Sequence, residues 1–229
     1  MPKIVDRDEK IRAIASAALA LFAQKGFAAT SVGQIARKAG VGKGTLYDYF
    51  SSKTDIIVAA IREWMSQLET AFEKELDGID DPVQRLYAFA ELSIALVDPI
   101  DPATARLSLE ILQHTMLQDG LLVRRRHLMK DMHNGMRRIV VNILLDGISR
   151  GIFRSEIARD AEKIAINFLG YLDGISLHSI MSENYFDIKE QIDFSLENIV
   201  RLIRIKSDTA SEAAVDGFEF EKEKRTAGI

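Results

Sequence analysis

This chain of 229 residues contains no cysteine. That excludes disulfides, thiolate nucleophiles and cysteine-bound metals, and it fits a reducing compartment such as the cytoplasm. Prolines number only four, and long stretches carry no helix breaker, which favours an all-α architecture. No unbroken apolar run approaches the roughly 20 residues that span a bilayer. The first ten residues have no apolar segment of signal-peptide type. A cytoplasmic protein outside membranes is therefore expected. A glycine-rich phosphate loop, a nucleophile elbow and a carboxylate pair are also missing. His114, His127, His133 and His178 form no i, i+4 pair with a carboxylate partner, so metal binding is not expected. No catalytic residue, metal or cofactor is anticipated, and the chain reads as a non-enzyme.

What is present is ordinary globular material, 47% apolar and 28% charged. The length suits one medium domain or two small ones. Net charge is −4, which taken whole argues against a nucleic-acid binder. Its distribution reverses that. Residues 1–53 hold nine Lys/Arg and four Asp/Glu, whereas the remaining 176 hold 21 Lys/Arg and 30 Asp/Glu. A basic head on an acidic body offers phosphates one face only.

Helical periodicity runs through almost the whole chain. A first helix is expected from Asp8 to Lys25, with Ile11, Ala15, Ala18 and Phe22 inward, Ile14 and Leu21 widening the stripe, and Gly26 ending it. Ser52, with Asp55 three residues on, caps a long helix to about Leu76, in which Ile57, Ile61, Trp64, Leu68 and Phe72 share a face. Further helices are expected at about 82–97, 103–118, 121–149, 158–182 and 187–205. The last segment, 206–229, lacks the apolar density to fold alone and reads as a flexible tail. The domains expected are a head at 1–53, a body at 54–205 and that tail.

Residues 30–53 carry most of the functional information. Val32, Ile35, Ala36 and Ala39 make one face of a short helix apolar, and Thr30 or Ser31 can cap its start. Gly40 stands where a helix end needs positive φ. A second short helix at 43–50 turns Leu46 and Phe50 inward and leaves Lys43, Thr45, Tyr47 and Tyr49 to point elsewhere. Helix, tight turn, helix is the helix-turn-helix unit, whose second helix enters the major groove.

Residues 7–57 resemble the DNA-binding domain of the TetR family of bacterial transcriptional repressors. The resemblance rests on Ala18, Leu21, Phe22, Gly26, Phe27, Thr30, Ile35, Ala36, Ala39, Gly40, Val41, Gly44, Leu46, Tyr47, Phe50 and Lys53. Gly42 and Tyr49 depart from it, standing where the family often has a small polar residue and His. The resemblance implies nine helices and a ligand-responsive repressor that binds a pseudopalindromic operator as a dimer. It also implies that Lys43 and Gly44 approach bases with Thr45 beside them, and that Tyr47 and Lys53 contact phosphate. The start of the second helix at Thr30 and Ser31 suits an anion, and Arg37 and Lys38 add positive charge nearby. Tyr49 completes the DNA-facing set.

The last two helices each show an unusually wide apolar arc. Phe168, Leu172 and Ile175 on one, and Ile188, Ile192, Leu196, Ile199, Leu202 and Ile203 on the other, are candidate dimer-interface residues. Gly170 and Gly174 allow close approach. In the family these two helices pair with their copies, and the helices before them enclose a ligand cavity. Trp64, Phe89, Leu92, Leu112, Met116, Met132, Met136, Phe168 and Tyr171 are its candidate lining, suited to a mostly apolar or aromatic small molecule. Arg124, Arg125 and Arg126 read as a solvated helix face. Two other readings stay open: a helical carrier or enzyme with an incidental helix-turn-helix, and an architectural DNA-binding protein.

Overall fold

The computed structural model describes residues 7–96, 102–182 and 185–205, so most of the gap expected between the helices at about 82–97 and 103–118, and the expected tail, lie outside the described residues. Within them run nine α-helices: α1 Arg7–Ala29, α2 Val32–Lys38, α3 Lys43–Tyr49, α4 Lys53–Asp77, α5 Pro82–Ala95, α6 Pro102–Met116, α7 His127–Ser149, α8 Ala161–Met181 and α9 Ile188–Ile203. Two 3₁₀ turns, Val123–Arg125 and Ser155–Asp160, precede α7 and α8. The long helices expected from 121 and from 158 are thus shorter, each entered through a tighter turn. The three arginines stand in and just after the first of these turns.

Gly26 breaks α1 at φ 79° and ψ 171°, and a short further turn follows to Ala29. An L side chain disfavours that backbone. The break brings the Phe22 and Phe27 rings edge-on at 5.0 Å. Gly40, at φ 67°, makes the turn between α2 and α3. Ser52 caps α4 by accepting from the Asp55 N–H at 3.1 Å, as its position predicted.

Two apolar cores result. The first joins α1–α4 through Ile14, Phe22, Phe27, Ile35, Leu46 and Ile61. Each such side chain contributes roughly 1.5–3 kcal/mol by leaving water. Leu107 and Ile111 of α6, Leu122 and Leu128 also belong to it. The second lies among α4, α5, α7, α8 and α9 around Phe72, Phe89, Phe168 and Ile192. The division of cores therefore does not follow the chain division at residue 54: α6 is body by sequence and packs on the head. The second core is closed by the Ile152–Arg154 strand-like segment, where the Arg154 N–H donates to Ile203 O at 2.8 Å and the Ile205 N–H to Ile152 O at 3.0 Å.

Two stretches, Arg7–Ala29 and Ser155–Met181, are long and apolar enough on average to cross a bilayer. Scattered polar residues interrupt both, so neither is an unbroken apolar run. The apolar face of α1 is covered by α4 and α6.

Candidate nucleic-acid interface and its support

Leu46 is fully buried and Phe50 nearly so, and this pair anchors α3 to the first core. The anchoring turns Lys43, Gly44, Thr45 and Tyr47 outward, all exposed, with Tyr47 49% accessible. A Cβ built on Gly44 would meet nothing within 4 Å, so this part of the surface is open to a flat partner. Arg37 and Lys38, exposed at the end of α2, add two cations beside it.

Four expected contact residues stand differently. Thr30 is 1% exposed, and its hydroxyl donates to Gly26 O at 2.8 Å. It ties down the α1 break and does not face a ligand. Ser31 is the N-cap of α2 in a reciprocal capping box: its hydroxyl accepts from the Gln34 N–H at 3.3 Å, and Gln34 Oε1 accepts from the Ser31 N–H at 2.8 Å. The Ser31 N–H is therefore taken, and the first-turn N–H groups of Val32 and Gly33 are the ones left for an anion. Tyr49 is half-buried against the first core, with the Arg7 guanidinium 5.8 Å from its ring centroid. Lys53 is half-buried, its Nζ 3.5 Å from Ala28 O. Arg7 is the residue that sequence reasoning missed here; only the fold brings it over Tyr49.

Behind this surface α6 grips the α1 break. The Phe27 N–H donates to the Glu110 carboxylate at 2.8 Å. Arg106 donates to Gln24 O at 3.1 Å, and the His114 ring stacks on Phe27 at 5.5 Å. None of these was expected from the sequence.

The candidate ligand residues do not gather around one space. Trp64 and Met132 pack with the first core, and Phe89 and Phe168 are buried in the second, 6.1 Å apart. Leu92, Met136 and Tyr171 flank the second core, and the Tyr171 hydroxyl donates to Gln191 O at 2.8 Å. Leu112 and Met116 are surface residues, Met116 68% accessible. Helical spacing made all nine equivalent, but α6 turns Leu112 and Met116 away from both cores.

The candidate interface residues divide by burial within the protomer. Phe168, Leu172, Ile192, Leu196 and Ile203 are buried within the protomer, and Ile175, Ile188 and Ile199 are half-buried around them. Only Leu202 of that set is exposed, at 68%. The uncovered apolar surface lies on the next arc of the same helices. On α8 it comprises Ile166, Leu177 and Met181 in line with the exposed Gly170 and Gly174; on α9 it comprises Phe194 and Leu202.

A family model described as "Bacterial regulatory proteins, tetR family" matches residues 14–60, the stretch that builds this surface. The chain is 27% identical over 187 residues to the HTH-type transcriptional regulator HbdR of Aromatoleum sp. (strain CIB), covering 80% of this chain and 79% of that protein. It is 24% identical to the fatty acid metabolism regulator protein of Bacillus subtilis (strain 168), covering 86% of this chain and 97% of that one. Among solved structures, the B. subtilis transcriptional regulator FadR in complex with stearoyl-CoA superposes with a TM-score of 0.57 at 25% identity, covering 82% of this chain and 96% of that one.

Proposed function

This chain belongs to the TetR family and is a DNA-binding transcriptional regulator, and from that premise we propose a dimeric, ligand-responsive repressor of a pseudopalindromic operator. The observation that carries the reading is the exposure of Lys43, Gly44, Thr45 and Tyr47 on a helix fixed from behind by Leu46 and Phe50. Lys43, Gly44 and Thr45 read base edges. Tyr47, Arg37 and the first turn of α2 hold phosphates, and so fix register without carrying sequence information. The regulator acts in the cytoplasm, where its operator is.

Dimerisation uses the outward arc of α8 and α9. Gly170 and Gly174 let two copies of α8 approach closely, and Ile166, Leu177, Phe194 and Leu202 supply the apolar area. The effector is a mostly apolar molecule held in the body between α4, α5, α7 and α8. The B. subtilis relative, with its bound stearoyl-CoA, supports an acyl chain as one such body. The effector must favour the DNA-incompetent state, and operator DNA must weaken its binding by the same factor. Its signal reaches the head through α4 and through the grip of α6 on α1.

Selection from random DNA with the full-length protein tests the reading. The expected product is an inverted repeat whose half-sites lie about one DNA turn apart, roughly 34–36 Å. A pool with no enriched sequence would leave the carrier reading in its place.

A further inference from the structure

A cleft of about 430 Å³ opens where the head meets the turn after α6. Small-molecule pockets span roughly 300–1,000 Å³. Its floor is apolar, made by Ile11 and Ala15 of α1 with Val58 and Ala59 of α4. Its rim is charged and comes from both sides of the junction. The guanidiniums of Arg12, Arg62 and Arg125 stand against the carboxylates of Asp55 and Glu63, which leaves positive charge in excess.

The two carboxylates are already served. Asp55 accepts from the Ser52 hydroxyl at 2.8 Å and lies 3.7 Å from Arg125. Glu63 accepts from Gln67 at 2.9 Å and from Ser16 at 3.3 Å. Arg12 and Arg62, by contrast, have no ion-pair or hydrogen-bond partner among the described residues. Two surface arginines alone are commonplace; here they rim an apolar floor.

We propose that this cleft binds a small organic carboxylate with an apolar body, at a site separate from the effector space in the body. The planar fork of a guanidinium matches a carboxylate in two parallel hydrogen bonds, which an ammonium cannot do. The single excess charge favours a monoanion over a phosphate ester of higher charge. The apolar body rests on the half-buried Ile11 and Ala59, above Ala15 and Val58, which the chain already buries. An occupant would touch α1, the first turns of α4 and Arg125 together. It would brace the head against the turn that follows α6. Phe50, which ends the recognition helix, also lines the cleft, so occupancy bears directly on how α3 is presented to DNA.

The test uses the full-length protein and 4-(1-pyrenyl)butyrate, with energy transfer from Trp64, the only tryptophan, as the readout. The expected result is saturable binding at one site per protomer that depends on the arginines, counted as the difference between the wild-type protein and the double arginine variant. Arg12→Ala/Arg62→Ala weakens it at least about tenfold, and the neutral alcohol of the same pyrenyl body binds at least about tenfold more weakly than the acid. Arg12→Lys/Arg62→Lys, which keeps charge without the fork, falls between. Both arginines are exposed, and circular dichroism checks the fold; single Arg62→Gln carries the same comparison should the double variant fail to fold. Unchanged affinity in the arginine variants means the probe sits elsewhere in the body and overturns the proposal, as does equal binding of acid and alcohol or no binding to the wild-type protein. Operator selection is independent of every one of these outcomes.

Discussion

The carboxylate of Glu110 accepts a hydrogen bond from the backbone N–H of Phe27, 2.8 Å away across 83 residues of sequence. Phe27 follows Gly26, where α1 breaks. The break leaves carbonyls at the end of one helical piece and N–H groups at the start of the next. Arg106 serves the first through Gln24 O, and Glu110 serves the second. Each charge has the sign that the adjacent helix dipole favours. His114 then covers the Phe27 ring. Arg106, Glu110 and His114 recur every four residues on one face of α6, so a single helix face holds the head.

Replacing Glu110 by leucine leaves the buried Phe27 N–H without a partner. That costs about 1–3 kcal/mol, read as a lower urea midpoint. Glu110→Gln keeps an acceptor and loses less. The leucine variant also releases its operator less completely at saturating effector. An unchanged midpoint together with an unchanged effector response would remove this contact from the mechanism.

Gly26→Ala is destabilising for two separable reasons. A Cβ there overlaps the Glu110 carboxylate, and φ of 79° is strained for any L residue. The strain alone costs about 1–3 kcal/mol. Adding Glu110→Ala to Gly26→Ala relieves the overlap and not the strain, so the double variant is more stable than the sum of the single losses. Strict additivity in denaturation would show that the two residues do not interact.

On DNA, Lys43→Ala lowers affinity and changes base preference at one position of each half-site, whereas Tyr47→Phe lowers affinity evenly across sequences. Leu46→Ala, at a fully buried position, costs about 2–5 kcal/mol of stability and weakens operator binding by loosening α3. Fluorescence anisotropy against a panel of single-base operator variants separates these patterns. Identical profiles for the first two variants would contradict the division of roles.

Phe194→Glu, at a position 67% exposed in the protomer, should give a folded species near the 25.6 kDa chain mass by light scattering. Ile192→Glu, at a position 1% exposed, should instead unfold the body, because a buried unpaired charge is strongly destabilising. A Phe194→Glu protein that stays dimeric would move the interface away from the outward arc.

The Asp173 carboxylate lies 3.5 Å from His133 Nε2. Its hydrogen bond is the main reason the imidazole titrates above its ordinary value; the Met129 carbonyl adds to this and burial opposes it. A pKa raised in the folded state stabilises below the unfolded value, about 6.5, and that stabilisation is lost as pH rises through the folded value. The pair is half-exposed, so it contributes no more than about 1 kcal/mol. Asp173→Asn therefore lowers the thermal midpoint more at about pH 5.5 than at about pH 8.5. An equal effect at both would show that the pair carries no charge-dependent stability.

The helix-turn-helix was legible in the sequence because local rules specify it. Apolar spacing of three and four, a glycine where φ turns positive and a capping serine act within a few residues of one another, and α2, α3 and their turn follow them closely. Ile35, Leu46 and Phe50 went inward as their spacing required, and Lys43, Gly44, Thr45 and Tyr47 were left outside. The same rules could not choose between Thr30 and Ser31 as the cap, since both hydroxyls suit it. The break at Gly26 decided that, by drawing the Thr30 hydroxyl back onto its own carbonyl.

By itself, then, the sequence determined an all-helical chain, a basic head with one short helix that leaves Lys43, Gly44, Thr45 and Tyr47 outside, and the residues that anchor that helix. Tertiary structure decided what lies between distant elements. Periodicity reports that α8 and α9 are apolar over a wide arc, but not which part of it the chain covers for itself; packing buried Ile192 and Leu196 and left Phe194 and Leu202 in water. It likewise set α6 against the head, joined Glu110 to Phe27, and left Arg12 and Arg62 over an apolar floor. Such pairings arise because burial and hydrogen bonding depend on separation in space, and only the folded chain brings residues so far apart in sequence within reach of each other.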